Sequence, residues 1–139
     1  MTDEEGDPMP HTIINPDTLH DPVGFGYSHV AAVSGELVLI AGQYASDAEG
    51  QVTTDDFEEQ VEAAFANLGK ALAAVGLGFA DVAQLRTFIV DHDLAKLAVI
   101  GKVIGGIWGE TPPVQTLVGV AALALPGMRF EVDATAVRG

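Results

Sequence analysis

The C-terminal third of the chain places the strongest constraint on the fold. Two apolar segments, residues 112–120 and 128–137, flank a Leu-Pro-Gly turn and are typical of two β-strands. In the second segment apolar and charged side chains alternate, which puts the apolar ones on one face: Met128, Phe130, Val132 and Ala134. The charged ones share the other face, which is therefore a solvated surface or the wall of a polar site: Arg129, Glu131 and Asp133.

The remaining segments predict an α+β fold. Apolar residues at three- and four-residue steps predict an amphipathic helix over 56–75, and Asp93 is a suitable N-cap for a second helix over 94–108. Residues 27–33 and 37–43 flank Ser34-Gly35-Glu36 and predict a β-hairpin, and 83–90 predicts a further strand. We therefore expect a mixed sheet of four to six strands with both helices on one face.

A single domain is expected over residues 11–139. Residues 1–10 hold four acidic side chains and two prolines and predict a disordered acidic tail. The strand at 37–41 is apolar on both faces, and two helices cover only one face of a sheet. We therefore expect the other face to be covered by further copies of the chain, with any polar site where subunits meet.

Charge and composition exclude several classes of function. The 20 acidic residues outnumber the six basic ones, for a net charge of −14, which disfavours nucleic acids and anionic membranes as partners. The absence of cysteine excludes disulfides and thiolate metal sites, and the four histidines have no metal-ligand spacing, so no metal is expected. No apolar stretch is long enough for a membrane span and no signal peptide is evident, which favours a cytoplasmic protein.

Several short segments, in order along the chain, together resemble the RidA (YjgF/YER057c/UK114) family. They are Gly26-Tyr27-Ser28-His29, Ile40-Ala41-Gly42-Gln43, Asn67-Leu68, Phe88-Ile89-Val90-Asp91, Pro113 to Val120 and Phe130-Glu131-Val132-Asp133-Ala134. The resemblance implies a chorismate-mutase-like protomer in a homotrimer, with a small-molecule cleft between protomers. It also implies a cofactor-independent enamine/imine deaminase, a hydrolase that converts 2-imino acids to 2-keto acids and ammonia.

The same resemblance implies the residues of the site. Glu131 falls on the family's catalytic glutamate, and the substrate-binding positions fall on Tyr27, Gly42, Gln43 and Phe88. Gln115 stands where the family has the arginine that binds the substrate carboxylate. Because a neutral amide holds a carboxylate less strongly than a bidentate guanidinium, we expect a substrate other than a standard 2-imino acid.

Other interpretations of these residues remain open. Glu131 has a structural alternative as an ion-pair partner of Arg129, whereas Arg129 is also a candidate for a relocated positive charge that binds substrate. Tyr27 has an alternative as a core aromatic, and Gln115 as a buried hydrogen-bond partner.

His29 and His92 are expected on the surface or in loops. The alternative function is a non-catalytic, metabolite-binding or regulatory trimer, and ribonuclease activity is the weakest reading because of the negative charge.

Overall fold

The computed structural model describes residues 11–139; the expected acidic tail, residues 1–10, lies outside them. The described chain contains six strands and two α-helices, with short 3-10 turns at Val23–Phe25 and Phe79–Asp81. In chain order the elements are β1 (His11–Ile14), β2 (Val30–Val33), β3 (Glu36–Gln43), α1 (Phe57–Ala74), β4 (Val82–Val90), α2 (Leu94–Trp108), β5 (Val114–Val120) and β6 (Phe130–Arg138).

Four strands form the main sheet in the order β3-β6-β4-β5. β6 is antiparallel to both of its neighbours, whereas β4 and β5 run parallel, as strands joined by a crossover helix do. β1 and β2 form an antiparallel ribbon, which an isolated bridge between Ser28 and Val114 joins to the β5 edge. The expected α+β architecture with a mixed sheet is confirmed.

Both helices pack on one face of the sheet, here called the inner face. α1 is capped by Asp56, whose carboxylate accepts the amide hydrogen of Glu59, and α2 is capped by Asp93 in the same way. The apolar stripe of each helix meets the alternating apolar residues of β4 and β6 in one core: Phe65, Leu68, Leu72, Leu85, Ile89, Ile100, Ile104, Phe130 and Val132. Each of these buried side chains stabilises the fold by about 1.5–3 kcal/mol relative to an exposed one.

The predicted hairpin between residues 27–33 and 37–43 is wrong. β2 pairs with β1, and β3 pairs with β6 from Glu36↔Arg138 onward. Gly35 explains the difference: its φ is +119°, and a Cβ there would lie 2.3 Å from the carbonyl oxygen of Arg138. The turn therefore delivers the chain to the end of β6 instead of folding it back along β2.

The sheet face opposite the helices, here called the outer face, carries exposed apolar side chains. On β3, Val38 and Ile40 pack against the core, whereas Leu37 and Leu39 point outward and are 57% and 77% exposed. The strand is apolar on both faces, as the sequence indicates, and its outer side is uncovered in the protomer. Among the helices of residues 11–139, none has the length and hydrophobicity needed to cross a bilayer.

Candidate functional site

A cavity of about 510 Å³ lies on the inner side of the β5 edge, between α2 and the segment before β2. Its volume is in the range typical of small-molecule sites. Polar and apolar side chains line it in similar numbers: His20, Phe25, Tyr27, His92, Leu97, Gln115, Thr116 and Leu117. We call it the Tyr27 cavity.

The backbone around Gly26 places Tyr27 at this cavity. Gly26 has a left-handed φ of +87°, and a Cβ at this position would lie 3.2 Å from the Cα of Gly101 on α2. The buried Ser28 hydroxyl donates to the Pro112 carbonyl at 2.6 Å, and the Ser28 amide donates to the Pro113 carbonyl at 3.1 Å. Tyr27 is therefore held from both sides at the start of β5, and it is a half-buried cavity residue rather than a core aromatic.

Gln115 lies in the floor of the cavity and is tied to two neighbours. The hydroxyl of the buried Thr87 donates to Gln115 Oε1 at 2.9 Å, and Gln115 Nε2 donates to the Gly26 carbonyl at 3.1 Å. These contacts connect β4, β5 and the Tyr27 segment. Gln115 is thus a hydrogen-bond partner within the fold and also a lining residue, with one Nε2 hydrogen left for a ligand.

Three aromatic side chains of the segment before β2 form a cluster beside the cavity. His20 Nε2 is hydrogen-bonded to the Tyr27 hydroxyl, and His29 Nε2 donates to the His20 carbonyl at 2.8 Å. The rings pack edge to face, with centroids 4.8 Å apart for His20 and His29 and 6.0 Å apart for His20 and Tyr27.

Sequence reasoning missed His20, and it placed His92 on the surface rather than at a site. The separations along the chain of His20, Tyr27 and His92 match no known pattern, because loop geometry brings them together. The closely spaced Gly24 and Gly26 were the one sequence signal for such a turn. Within residues 11–139, no three His, Asp or Glu side chains are grouped in a way that suits a metal ion.

Glu131 lies on the outer face beside the backbone of β3. It is in register with Phe88, and a Cβ at position 42 would lie 2.6 Å from the Glu131 Cδ, so only glycine leaves room for the carboxylate. Burial raises the pKa of the Glu131 carboxyl, and the negative charge of Asp133 raises it further. We call Glu131, Gly42 and Phe88 the Glu131 cluster.

The other candidates near this cluster have different surroundings. Gln43 donates from its side chain to the Ala41 carbonyl of its own strand. Arg129 is exposed immediately before β6, and its amide donates to the side chain of the buried Gln60. Within the described chain no ion pair involves Glu131 or Arg129, so the alternative in which these two residues pair is not the arrangement in the protomer.

The sequence-predicted site is divided between the two faces of the sheet. Gln115 is in register with the buried Leu85 and bonds to Thr87 on the inner face, whereas Phe88 and Glu131 lie on the outer face. Because successive residues of a strand point to opposite faces, one protomer does not bring Gln115 and Glu131 together. A site that uses both groups needs a second copy of the chain.

Comparisons with known proteins identify the family of the chain. Residues 19–138 match the family model described as Endoribonuclease L-PSP. The chain is 36% identical over 104 residues to the RutC family protein YjgH of Escherichia coli, covering 74% of this chain and 76% of that protein. It is 27% identical over 119 residues to the 2-iminobutanoate/2-iminopropanoate deaminase of Rattus norvegicus, covering 85% of each.

A solved structure has the same fold. YyfB from Yersinia pestis, a protein of unknown function in the conserved Rid family, superposes with a TM-score of 0.89 at 40% sequence identity. The match covers 94% of this chain and 100% of that chain.

Proposed function

Because this chain belongs to the Endoribonuclease L-PSP family, which includes 2-imino acid deaminases, we propose that it is an enamine/imine deaminase. It hydrolyses a C=N bond of a small molecule to a carbonyl compound and ammonia without a cofactor. Its substrate is not a standard 2-imino acid.

The observation that carries this proposal is the environment of Glu131. Its carboxylate is partly buried, has no ion-pair partner within residues 11–139, and has a pKa raised by burial and by Asp133. A carboxylate of this kind accepts a proton from water more readily than a solvated one, which suits a general base. Gly42 leaves the space that this carboxylate occupies against the backbone of β3.

In the proposed reaction Glu131 moves protons between oxygen and nitrogen. It takes a proton from water as the oxygen adds to the imine carbon, and the C=N electron pair passes to nitrogen, which receives that proton. Glu131 then takes the hydroxyl proton of the tetrahedral intermediate and passes it to the amine nitrogen, the C=O bond forms, and the C–N bond breaks to release ammonia. Water is the only co-reactant.

The active assembly in this proposal is a homotrimer. The exposed Leu37 and Leu39 of the outer face favour association of copies through that face. We propose that in this trimer the Glu131 cluster of one protomer lies near the Tyr27 cavity of another, which joins the two halves of the site. The small-molecule cleft is then shared between subunits.

The substrate restriction follows from Gln115. The neutral amide of Gln115 is already hydrogen-bonded to Thr87 and Gly26 and has one N–H left to donate to a ligand. An arginine guanidinium is charged and donates two parallel hydrogen bonds to a carboxylate. A hydrogen bond to a neutral group contributes about 0.5–1.5 kcal/mol and one to a charged group about 1.5–3 kcal/mol. Binding of a substrate carboxylate is therefore weaker here by about one order of magnitude.

The test is a direct assay on a series of imines, with and without a carboxylate, generated in situ and followed by the appearance of the carbonyl product. We expect wild-type protein to accelerate hydrolysis of at least one carboxylate-free imine and Glu131→Gln to lose that acceleration. Saturable binding of these compounds without any acceleration favours the second candidate, a non-catalytic metabolite-binding trimer. The observation that supports this candidate is that Gln115 is neutral and already hydrogen-bonded to Thr87 and Gly26.

Two further expectations remain predictions. With a net charge of −14 we expect no retention of RNA, and retention on an RNA column at low ionic strength that is lost with salt would contradict this. The expected cytoplasmic location is tested by cell fractionation.

A further inference from the structure

The lining of the Tyr27 cavity indicates the chemical class of its ligand. None of its eight lining residues is an arginine or a lysine. A carboxylate that leaves water without a cationic partner loses much of its hydration without compensation. The cavity therefore favours an uncharged ligand.

The polar groups of the cavity offer hydrogen bonds to a neutral acceptor. The second Nε2 hydrogen of Gln115 is one such donor. The other is the Tyr27 hydroxyl: when His20 donates its Nε2 hydrogen to the tyrosine oxygen, the O–H of Tyr27 is left to donate to a ligand.

His29 holds the backbone of His20 in the position from which its ring contacts Tyr27. Its Nε2 donates to the His20 carbonyl, and its own amide donates to Asn15 Oδ1 at 2.7 Å. The backbone of His20 is thus fixed relative to β2, and the imidazole of His20 is fixed relative to Tyr27. His20 is a positioning residue, because it acts on a ligand through the orientation of the tyrosine hydroxyl.

The remaining wall of the cavity is apolar. Phe25, Leu97 and Leu117 contribute side chains from three different elements. A ligand that fits both parts has one polar acceptor and one branched or planar apolar substituent.

We propose that the Tyr27 cavity binds an uncharged C=N or C=O group through the Tyr27 hydroxyl, which His20 holds in place, with an apolar substituent against Phe25, Leu97 and Leu117. The proposal names neutral imines and their carbonyl products as the ligands of the site. It rests on the proposed function for the reaction that connects the two. Binding of such a carbonyl product is measurable whether or not the protein catalyses the hydrolysis.

The test uses two ligands that share an isobutyl group and a ketone: 4-methyl-2-pentanone, which is neutral, and 4-methyl-2-oxopentanoate, which carries a carboxylate. Both are titrated into the ¹⁵N-labelled protein at pH 8. The amide shifts of Gly26, Thr116 and Leu117 report on the cavity. We expect the ketone to bind at least about tenfold more tightly than the keto acid.

Variants test the role of His20. We expect Tyr27→Phe and His20→Gln each to weaken binding of the ketone by about three- to tenfold, the loss of one hydrogen bond. In the double variant His20→Gln adds no further loss, because its effect passes through the Tyr27 hydroxyl. Thr18→Ala, an exposed change in the same loop, leaves binding unchanged.

Three outcomes overturn the inference. The first is equal or tighter binding of the keto acid, in which case Arg129→Ala tests whether that arginine is the missing cation. The second is shifts outside the cavity or none at all with both ligands. The third is that His20→Gln weakens ketone binding equally in the wild-type and Tyr27→Phe proteins. In that case the effect of His20 does not pass through the Tyr27 hydroxyl, and its role is structural only. Ketone binding with no hydrolysis of any imine leaves the inference standing and removes only the proposed deaminase function.

Discussion

Glu131 and Asp133 are carboxylates two residues apart on the outer face of β6, and their surroundings differ. Asp133 accepts two hydrogen bonds from Arg86, at 3.0 Å from Nε and 2.7 Å from Nη2. Glu131 lies against Gly42 and has no cation beside it within the described chain. The pair offers a matched comparison between a carboxylate that stabilises the strand and one available for chemistry.

Replacing Glu131 with glutamine is expected to separate function from stability. Turnover of the imine substrate falls by roughly 10²–10⁴-fold, the effect of losing a general base. Thermal unfolding of the variant at neutral pH occurs at or above the wild-type temperature, because no ion pair is lost. Asp133→Asn is the control, and it lowers the unfolding temperature because it leaves Arg86 without its partner. A destabilised Glu131→Gln whose activity is lost only through unfolding would assign Glu131 a structural role.

The raised pKa of Glu131 also predicts how stability depends on pH. A carboxyl whose pKa is higher in the folded than in the unfolded state holds its proton more tightly when folded. Its contribution to the free energy of unfolding is therefore greatest below the unfolded pKa, and it decreases as the pH rises through the folded pKa. We expect denaturant unfolding across this acidic range to show that the free energy of unfolding of wild type decreases, relative to that of Glu131→Gln, as the pH rises. A difference independent of pH contradicts the assignment.

Gln115→Arg tests the restriction on substrate. An arginine restores a charged bidentate partner for a carboxylate, and we expect hydrolysis of 2-imino acids to rise about tenfold or more. The change also removes the acceptor of the Thr87 hydroxyl, so the unfolding temperature is measured alongside. Gln115→Lys, which adds charge without the planar fork, is the matched control and gives a smaller gain. No gain in a stable variant means that other residues also exclude the carboxylate.

At the scale of the elements, β3 contributes to the site by the absence of a side chain. A methyl group at position 42 would overlap the flexible end of Glu131, which then has to move. We expect Gly42→Ala to lower turnover about a hundredfold, since displacement by about 1 Å has effects of this size. Because a side chain and not the backbone moves, the fold remains stable.

Gly105→Ala is the control for Gly42→Ala. Apart from the backbone of α2 itself, no nearby atom would meet a Cβ at position 105, which lies in the last turn of this helix, so alanine there raises helix propensity without a clash. We expect unchanged turnover and a stability gain of up to about 1 kcal/mol in chemical denaturation. Unchanged turnover in Gly42→Ala would show that the position of the Glu131 carboxylate does not limit the reaction.

Elements defined by local pattern were predictable, and those defined by distant pairing were not. The start and end of α2 at Leu94 and Trp108 follow from the Asp93 cap and the apolar period. The partner of β3 was mispredicted, because a Ser-Gly-Glu turn indicates a hairpin locally while the strand that accepts β3 lies about ninety residues later in the chain. Propensity contains no information about such a partner.

The candidate site shows the same limit. Family resemblance proposed Tyr27, Gln115 and Glu131 as site residues, and neither alternation nor spacing indicated that the sheet separates the first two from the third. His20 reaches Tyr27 through a loop whose path depends on the contact of Gly26 with Gly101 of α2. A tertiary contact of this kind produces no periodic pattern in the sequence, so it could not be predicted.

At the scale of the whole molecule, the chain belongs to the Rid family, as the resemblance to RidA indicated. Its assembly into a homotrimer remains a prediction. Multi-angle light scattering is expected to return three times the 14.4 kDa protomer mass. Leu39→Asp places a charge on the most exposed apolar part of the outer face and is expected to give protomers and to abolish turnover. Ala73→Asp, an exposed change on α1 away from that face, leaves the trimer intact.

Charge makes this assembly sensitive to salt. Each copy has a net charge of −14, so association brings like charges together, and added salt screens their repulsion. The trimeric fraction at low protein concentration therefore increases with ionic strength. A monomer mass at micromolar concentration and high salt would refute both the trimer and the shared site.

The position of β6 has a consequence for how the chain folds during synthesis. β6 lies between β3 and β4, yet it is the last of the described strands to leave the ribosome. At usual elongation rates, β3 waits roughly 5 to 20 s for its partner, and during this time neither β3 nor β4 has its inner neighbour. Helices can form early, but the sheet closes only when residues 130–138 are available. The nascent chain therefore exposes unpaired strand edges until residues 130–138 have been translated.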